Sequence, residues 1–349
     1  MTERSLAESF RRLIASDGPI SVAQFMGESN ARYYASRDPF GTAGDFVTAP
    51  EISQMFGELI GLWLADIWIR AGSPARSIYV ELGPGRGTLA RDALRAMKRA
   101  GLEPEPHLVE GSPELRRLQG EAVPGAQFHA DLSTVPEGRP ILLVANEFLD
   151  ALAVRQLVMT EQGWRERMVA LDAEERFVFG AGAQPMDAAV PEGRRGAEVG
   201  TILETSPGAA AVVSEAARRL AAQGGAALFI DYGHSQPRIG STLQAVRAHK
   251  KVDPFAAPGE ADLTAHVDFP SLSEVAQARG GRWLGTVPQG TWLRALGIDA
   301  RTEALAAAAP HHREALNAGR DRLVEPAEMG ELFKVMGLAA PNWPDGAGF

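Results

Sequence analysis

The chain has 349 residues, 45% hydrophobic and 23% charged, which predicts a sizeable core over about two domains and excludes wholesale disorder. Its 35 basic and 44 acidic residues leave a net charge of −9, which argues against a general nucleic-acid binder. There is no cysteine, so disulfides, thiolate nucleophiles and cysteine-ligated metal sites are excluded together.

Residues 1–75 read as helical and amphipathic. Met1 to Ile14 carries Glu3 and Glu8 and no apolar signal core; Arg4, Arg11 and Arg12 imitate a mitochondrial transit helix, but the acidic residues count against one. Arg37 to Val47 is a glycine-containing loop with two aspartates, the kind that contacts ligand when packed near a site. Thr48-Ala49-Pro50-Glu51 reads as a capping box with proline in the first turn. Ile52, Met55, Phe56, Leu59, Ile60, Trp63 and Ile67 then recur at helical spacing. Phe56 to Ile69 is the most apolar stretch, yet with Glu58 and Asp66 it is too short and too charged to span a bilayer. The expected protein is soluble and intracellular, without membrane insertion.

From Ser77 strands and helices alternate. Ile78 to Leu82, His107 to Glu110, Gln127 to His129, the apolar run Ile141 to Ala145 and Ala226 to Ile230 read as strands. Helices are expected from Thr88 to about Ala100, from Ser112-Pro113-Glu114, and from Ser206-Pro207 to about Gln223. This repetition predicts an α/β fold with a doubly wound, mostly parallel sheet. The expected organisation is a helical segment over 1–75 that contributes to the cleft, and a domain over 76–349. Insertions interrupt that domain at about 151–200 and 233–270. The first, with a hairpin around Asp172 to Glu175, reads as a substrate-side element, and the second as a functional loop or lid.

Glu81-Leu82-Gly83-Pro84-Gly85-Arg86-Gly87-Thr88 carries the strongest local chemistry. Glycines between strand and helix let a ligand approach the backbone and the helix N-terminus closely. The spacing is G-x-G-x-G, not the G-x-G-x-x-G of dinucleotide sites. Glu81 suits a ligand ammonium better than a pyrophosphate, so the motif points to S-adenosylmethionine. Glu110, about 25 residues beyond Gly85, is placed to accept both ribose hydroxyls. Asp131-Leu132 is placed for the adenine ring. Asn146-Glu147-Phe148-Leu149-Asp150 follows the fourth strand, at the edge where ligands lie in such sheets. Asn146 is expected on the cofactor side. Glu147 and Asp150 would both face the crevice if a helical turn follows, and Asp231 sits at the corresponding edge of the next strand. The histidines show no metal site, and His249 falls in the expected lid.

The chain resembles the MidA-like family of class I methyltransferases, which includes the mitochondrial complex I assembly-factor arginine methyltransferase. The likeness lies in DPFGTAGDFVTAPEISQMFGE (38–58), ELGPGRGT (81–88), NEFLDALAV (146–154), DYGH (231–234) and TLQAVRAHKKVDPFAAPGEADLTAHVDF (242–269). The glycine motif marks only the superfamily; the first and last stretches are far more specific. Ala153 stands where the family is expected to have proline. The resemblance implies S-adenosylmethionine binding, with Glu81, Gly83, Gly85, Gly87 and Glu110 at cofactor positions. It also implies arginine methylation of a partner protein, in the mitochondrial case a complex I subunit, and a place in the bacterial cytoplasm or, for a eukaryotic chain, the mitochondrial matrix.

Methyl transfer is a direct displacement that needs no nucleophilic side chain, in keeping with the absent cysteine. Glu147, helped by Asp150, is the expected catalytic carboxylate, gripping a guanidinium that stays protonated at neutral pH. Asp45, Glu51, Asp231 and His249 are further expected substrate contacts. Two other readings stand beside this one. One is a non-catalytic assembly chaperone that keeps the cofactor fold. The other is a dinucleotide-dependent oxidoreductase, disfavoured by the glycine spacing and by Glu81.

Overall fold

The structure, a computed structural model, describes residues 5–36, 48–247 and 250–349. Asp45 and His249 lie outside the described residues. The chain divides into two compact units. Phe40–Leu149, Ala210–Gln236 and Val267–Phe349 make the larger; Met1–Pro39, Asp150–Ala209 and Pro237–His266 make the smaller.

The larger unit is built on strands β1 (Ile78–Leu82), β2 (Glu105–Val109), β3 (Gln127–His129), β4 (Ile141–Asn146), β5 (Gly225–His234), β6 (Arg282–Pro288) and β7 (Phe333–Ala339). Their order is β3-β2-β1-β4-β5-β7-β6. Strands β1 to β5 run parallel. Strand β7 runs antiparallel to both neighbours, β5 and β6. The expected doubly wound, mostly parallel sheet is therefore the observed one.

Every residue of β1 and β4 is buried, so both faces of these strands are covered, and their apolar runs are the sequence form of that burial. The chain winds outward from β1 to β3 and returns to place β4 beside β1. This reversal opens a crevice at the carboxyl ends of β1 and β4, where open α/β sheets bind ligands.

The apolar stretch after residue 53 forms the helix Gln54–Arg70, which crosses the helix Thr88–Arg99. Gly61 makes the crossing close: a Cβ there would stand 2.3 Å from the Ala93 carbonyl oxygen. Glu58 is buried in this unit and bound by Arg95 at 3.4 Å and Arg301 at 2.9 Å. The expected capping box is not formed. Thr48 caps a four-residue helix, Ala49–Ile52, through its position and makes no side-chain bond. Ser53, in extended conformation, starts the long helix and accepts the Met55 N–H. The physical reason is that Glu51, the fourth residue of the motif, spends its carboxylate on the Thr88 hydroxyl, which donates to it at 2.5 Å.

In the smaller unit the helices Leu6–Asp17 and Val22–Ser36 join a five-stranded sheet. Its hairpin, Gly163–Leu171 with Phe177–Pro185, lies where the sequence predicts one. Phe10, Phe25, Phe177 and Phe255 cluster with ring centroids 5.0–6.5 Å apart. Phe255 comes from the stretch 233–270, which is not the continuous loop expected. Gln244–Arg247, Lys250–Val252 and Asp262–Thr264 form a three-stranded antiparallel sheet, with Ala245 and Leu263 in the core. Strands of three or four residues among prolines and glycines leave little alternation to read.

Candidate active site

The loop after β1 is shaped by its glycines. Gly83 (φ +62°) has no room for a side chain, since a Cβ would meet the Phe148 ring at 2.7 Å. Gly87 N–H donates to the Pro84 carbonyl at 2.8 Å, closing a turn around Gly85 and Arg86. The helix Thr88–Arg99 then begins without a side-chain cap, so its first N–H groups are left to the loop side.

Within β1, Tyr79 and Glu81 share a face by strand alternation. The Tyr79 hydroxyl donates to the Glu81 carboxylate at 2.5 Å. Glu81 is 2% exposed, and burial pushes its carboxyl up to about 8, against which the Tyr79 bond pulls. At neutral pH the group is therefore largely protonated until a cation arrives beside it.

Across the crevice, Asn146 ends β4 and Glu147 follows with φ +50°, a conformation L-residues seldom adopt and one that clusters at functional sites. The Glu147 carboxylate accepts from Ala49 N–H at 2.9 Å and from the Asn146 amide at 3.1 Å. Asp231 anchors the next residues. Its carboxylate, 1% exposed, accepts from Leu149 N–H and from its neighbour Tyr232 N–H, both at 2.9 Å.

One pocket joins these pieces. Glu51, Glu81, Gly83, Gly85, Asn146 and Glu147 line it, with Thr48, Pro50, Pro84, Arg86, Thr88 and Leu89. Gly87, Glu110, Asp131, Leu132 and Asp231 are not among its walls. Glu110, just past β2, accepts from Ser112 N–H at 2.8 Å and from the Gln119 amide at 3.2 Å. Asp131 is exposed and caps the turn Leu132–Thr134, accepting from Ser133 N–H at 2.7 Å; bonds from Ser133 hold its carboxyl below the usual range. Leu132 is buried. Asp150 belongs to the smaller unit and is buried there, with its carbonyl accepting from Ala265 N–H. The helical turn expected to bring it beside Glu147 is absent: residues 147–152 contain no helix. A leucine and an alanine at 149 and 151 carry no helix N-cap signal.

Sequence reading missed Tyr79 and Gln119, and read Thr88 only as the end of the glycine motif and the start of its helix. For Gln119 a signal existed, since it recurs four residues after the buried Leu115 on the same helix face. Among the described residues no cluster of three or more His, Cys, Asp or Glu could hold a metal, and no helix is long and apolar enough to cross a membrane.

The pocket fits the methionine end of S-adenosylmethionine. Asn146 Oδ1 is buried with no hydrogen-bond partner, an acceptor awaiting a donor. An ammonium supplies such a donor and, beside Glu81, the positive charge that a buried carboxyl needs to ionise.

Strand order, glycine loop and acidic crevice together define a class I S-adenosylmethionine-dependent methyltransferase. Residues 59–287 match the family described as putative S-adenosyl-L-methionine-dependent methyltransferases. The protein arginine methyltransferase NDUFAF7 homolog, mitochondrial, of Drosophila melanogaster is 38% identical, over 96% of this chain and 84% of its own. The Homo sapiens protein arginine methyltransferase NDUFAF7, mitochondrial, is also 38% identical, over 93% of this chain and 81% of its own. A crystal structure from Burkholderia thailandensis bound to S-adenosyl-homocysteine is 31% identical, with a TM-score of 0.83 over 96% of this chain and 91% of that one. The chain belongs to the MidA-like family of S-adenosylmethionine-dependent methyltransferases, to which NDUFAF7 also belongs.

Proposed function

We propose that this enzyme methylates an arginine of a partner protein, and that the partner is a subunit of respiratory complex I. The observation that carries the arginine reading is the convergence of Glu51, Glu81 and Glu147 on one pocket at the strand-order reversal. The cofactor brings two cationic centres, an ammonium and a sulfonium, and a third carboxylate there calls for a further cation. The relatives named protein arginine methyltransferase support the same choice.

S-adenosylmethionine, when bound, supplies a methyl group on a sulfonium that departs as neutral thioether. Glu81 and Asn146 hold its ammonium, the backbone of Gly83, Gly85 and Gly87 cradles it, Glu110 takes the ribose hydroxyls, and Asp131-Leu132 borders adenine. Glu147 grips the guanidinium through a charge-assisted pair and aligns one nitrogen for displacement. That nitrogen sheds a proton as its bond to carbon forms, and Glu147, paired with the guanidinium, is the carboxylate that accepts it. Glu51 steadies this side through Thr88, and Asp231 does so by fixing the Leu149 backbone. The setting is the bacterial cytoplasm, or the mitochondrial matrix for a eukaryotic chain, as the relatives named mitochondrial suggest.

The test is mass spectrometry of arginine methylation in extracts of a deletion strain, with purified enzyme and S-adenosylmethionine added. Methylarginine should appear in a complex I subunit. Glu147→Gln should lower its formation about 10²-fold, a loss of about 3 kcal/mol at the transition state, while S-adenosyl-homocysteine still binds nearly normally. Methylation confined to other residue types would sink the arginine reading. Complex I that assembles normally with the inactive variant would point to a scaffolding role.

A further inference from the structure

We propose that Gln119 is a positioning residue of the cofactor site, tying the glycine loop to Glu110 and so setting the separation of the two elements that flank a nucleoside. The proposal rests on the reading of Glu110 as the ribose carboxylate. Gln119 has no exposure to solvent and lies on the buried face of the helix Pro113–Ala122. Its amide nitrogen donates to the Gly85 carbonyl at 2.7 Å and to Glu110 Oε2 at 3.2 Å. Both partners only accept, so chemistry fixes which end of the amide faces them. The amide oxygen is buried without a partner. Leucine or methionine would fill the same space without that cost, so packing alone does not account for a glutamine here.

Gly87 permits the link. At φ +81° a Cβ on residue 87 would stand 3.1 Å from the Ala122 Cβ and 3.4 Å from the Gln119 Cα. The helix thus comes near enough to the loop for one amide to reach Gly85, 34 residues earlier in the chain. Glu110 is bound at its other oxygen by Ser112 N–H at 2.8 Å, so the protein holds the carboxylate at both ends. A carboxylate oriented in advance loses little freedom on accepting two hydroxyls.

The test measures, by calorimetry on the full chain, affinity for S-adenosyl-homocysteine and for its 2′,3′-dideoxy analogue. Gln119→Met keeps the volume and removes both donors. It should weaken S-adenosyl-homocysteine binding about tenfold and shrink the preference over the dideoxy analogue by a similar factor. Gln119→Lys returns a nitrogen donor on a chain of comparable reach and should recover affinity to within about threefold of wild type, a rescue that packing would not give. Wild-type affinity and preference in Gln119→Met overturn the proposal, as does Gln119→Lys binding no better than Gln119→Met. Should Gln119→Met fail to fold, Gln119→Lys decides by the same preference: kept, it supports the proposal; lost, it overturns it. Glu110→Ala is the control. If its affinity is unchanged, the ribose reading falls and takes the proposal with it, whereas a loss there with an unchanged Gln119→Met isolates the failure to Gln119.

Discussion

Glu81 carries a free-energy cost that, on the proposed cofactor reading, a ligand ammonium would remove. With its carboxyl raised from an ordinary 4.5 to about 8, the folded chain holds a proton that the unfolded chain releases. Stability from this group is full below a pH of about 4.5, falls as pH rises toward 8 and is level beyond it. The melting temperature of the ligand-free protein should therefore drop by roughly a few degrees across that window, and Glu81→Gln should flatten the slope. S-adenosyl-homocysteine, whose ammonium favours the ionised form, should stabilise the wild type more at pH 8 than at pH 6. Scanning calorimetry across pH checks both; an equal slope in Glu81→Gln would place the pH dependence elsewhere. Tyr79 belongs to the same arrangement, because its hydroxyl is the one protein donor that reaches Glu81 among the described residues.

Between elements, the helix crossing at Gly61 shows how contact overrides propensity. In an isolated helix alanine is favoured over glycine by about 1 kcal/mol. At Gly61 the new methyl would meet backbone at 2.3 Å, so Gly61→Ala should destabilise by about 1–3 kcal/mol. Gly120 sits on the helix Pro113–Ala122 with nothing within 4 Å of a built Cβ, so Gly120→Ala should stabilise by about 0.5–1 kcal/mol. Urea denaturation of both variants gives the comparison, and equal signs would show that the crossing can relax. The capping motif at Thr48 makes a related point. Its residue pattern was right for a helix start, but Thr88 claimed Glu51, and Ser53 took over as the cap of the longer helix.

Across the molecule, each compact unit is assembled from three separate stretches of chain, so neither can be removed by a single cut. The pocket proposed for the cofactor is lined wholly by residues of the larger unit. Hydrogen exchange with S-adenosyl-homocysteine should accordingly slow at residues 83–90, 110–112 and 146–147. Exchange should stay unchanged in the smaller unit's strands Gly163–Leu171 and Phe177–Pro185. Protection confined to those strands would move the site away from the glycine loop.

The sequence by itself determined the parallel strands at the centre of the sheet, because strands buried on both faces are predominantly apolar, as Ile141 to Ala145 is throughout. It also located the glycine loop and placed Glu81 and Glu147 at the strand ends that border one pocket, since strand ends and tight turns are local features. The strands β6 and β7 escaped it: Arg282–Pro288 and Phe333–Ala339 each carry an internal glycine and no regular alternation. Only the tertiary structure decided that Asp150 falls in the smaller unit, that Gln244–Arg247, Lys250–Val252 and Asp262–Thr264 pair as strands, and that Gln119 meets Gly85 and Glu110. Such contacts join residues far apart in the chain, and a polar side chain inside a helix gives no sign of which distant acceptor it will reach.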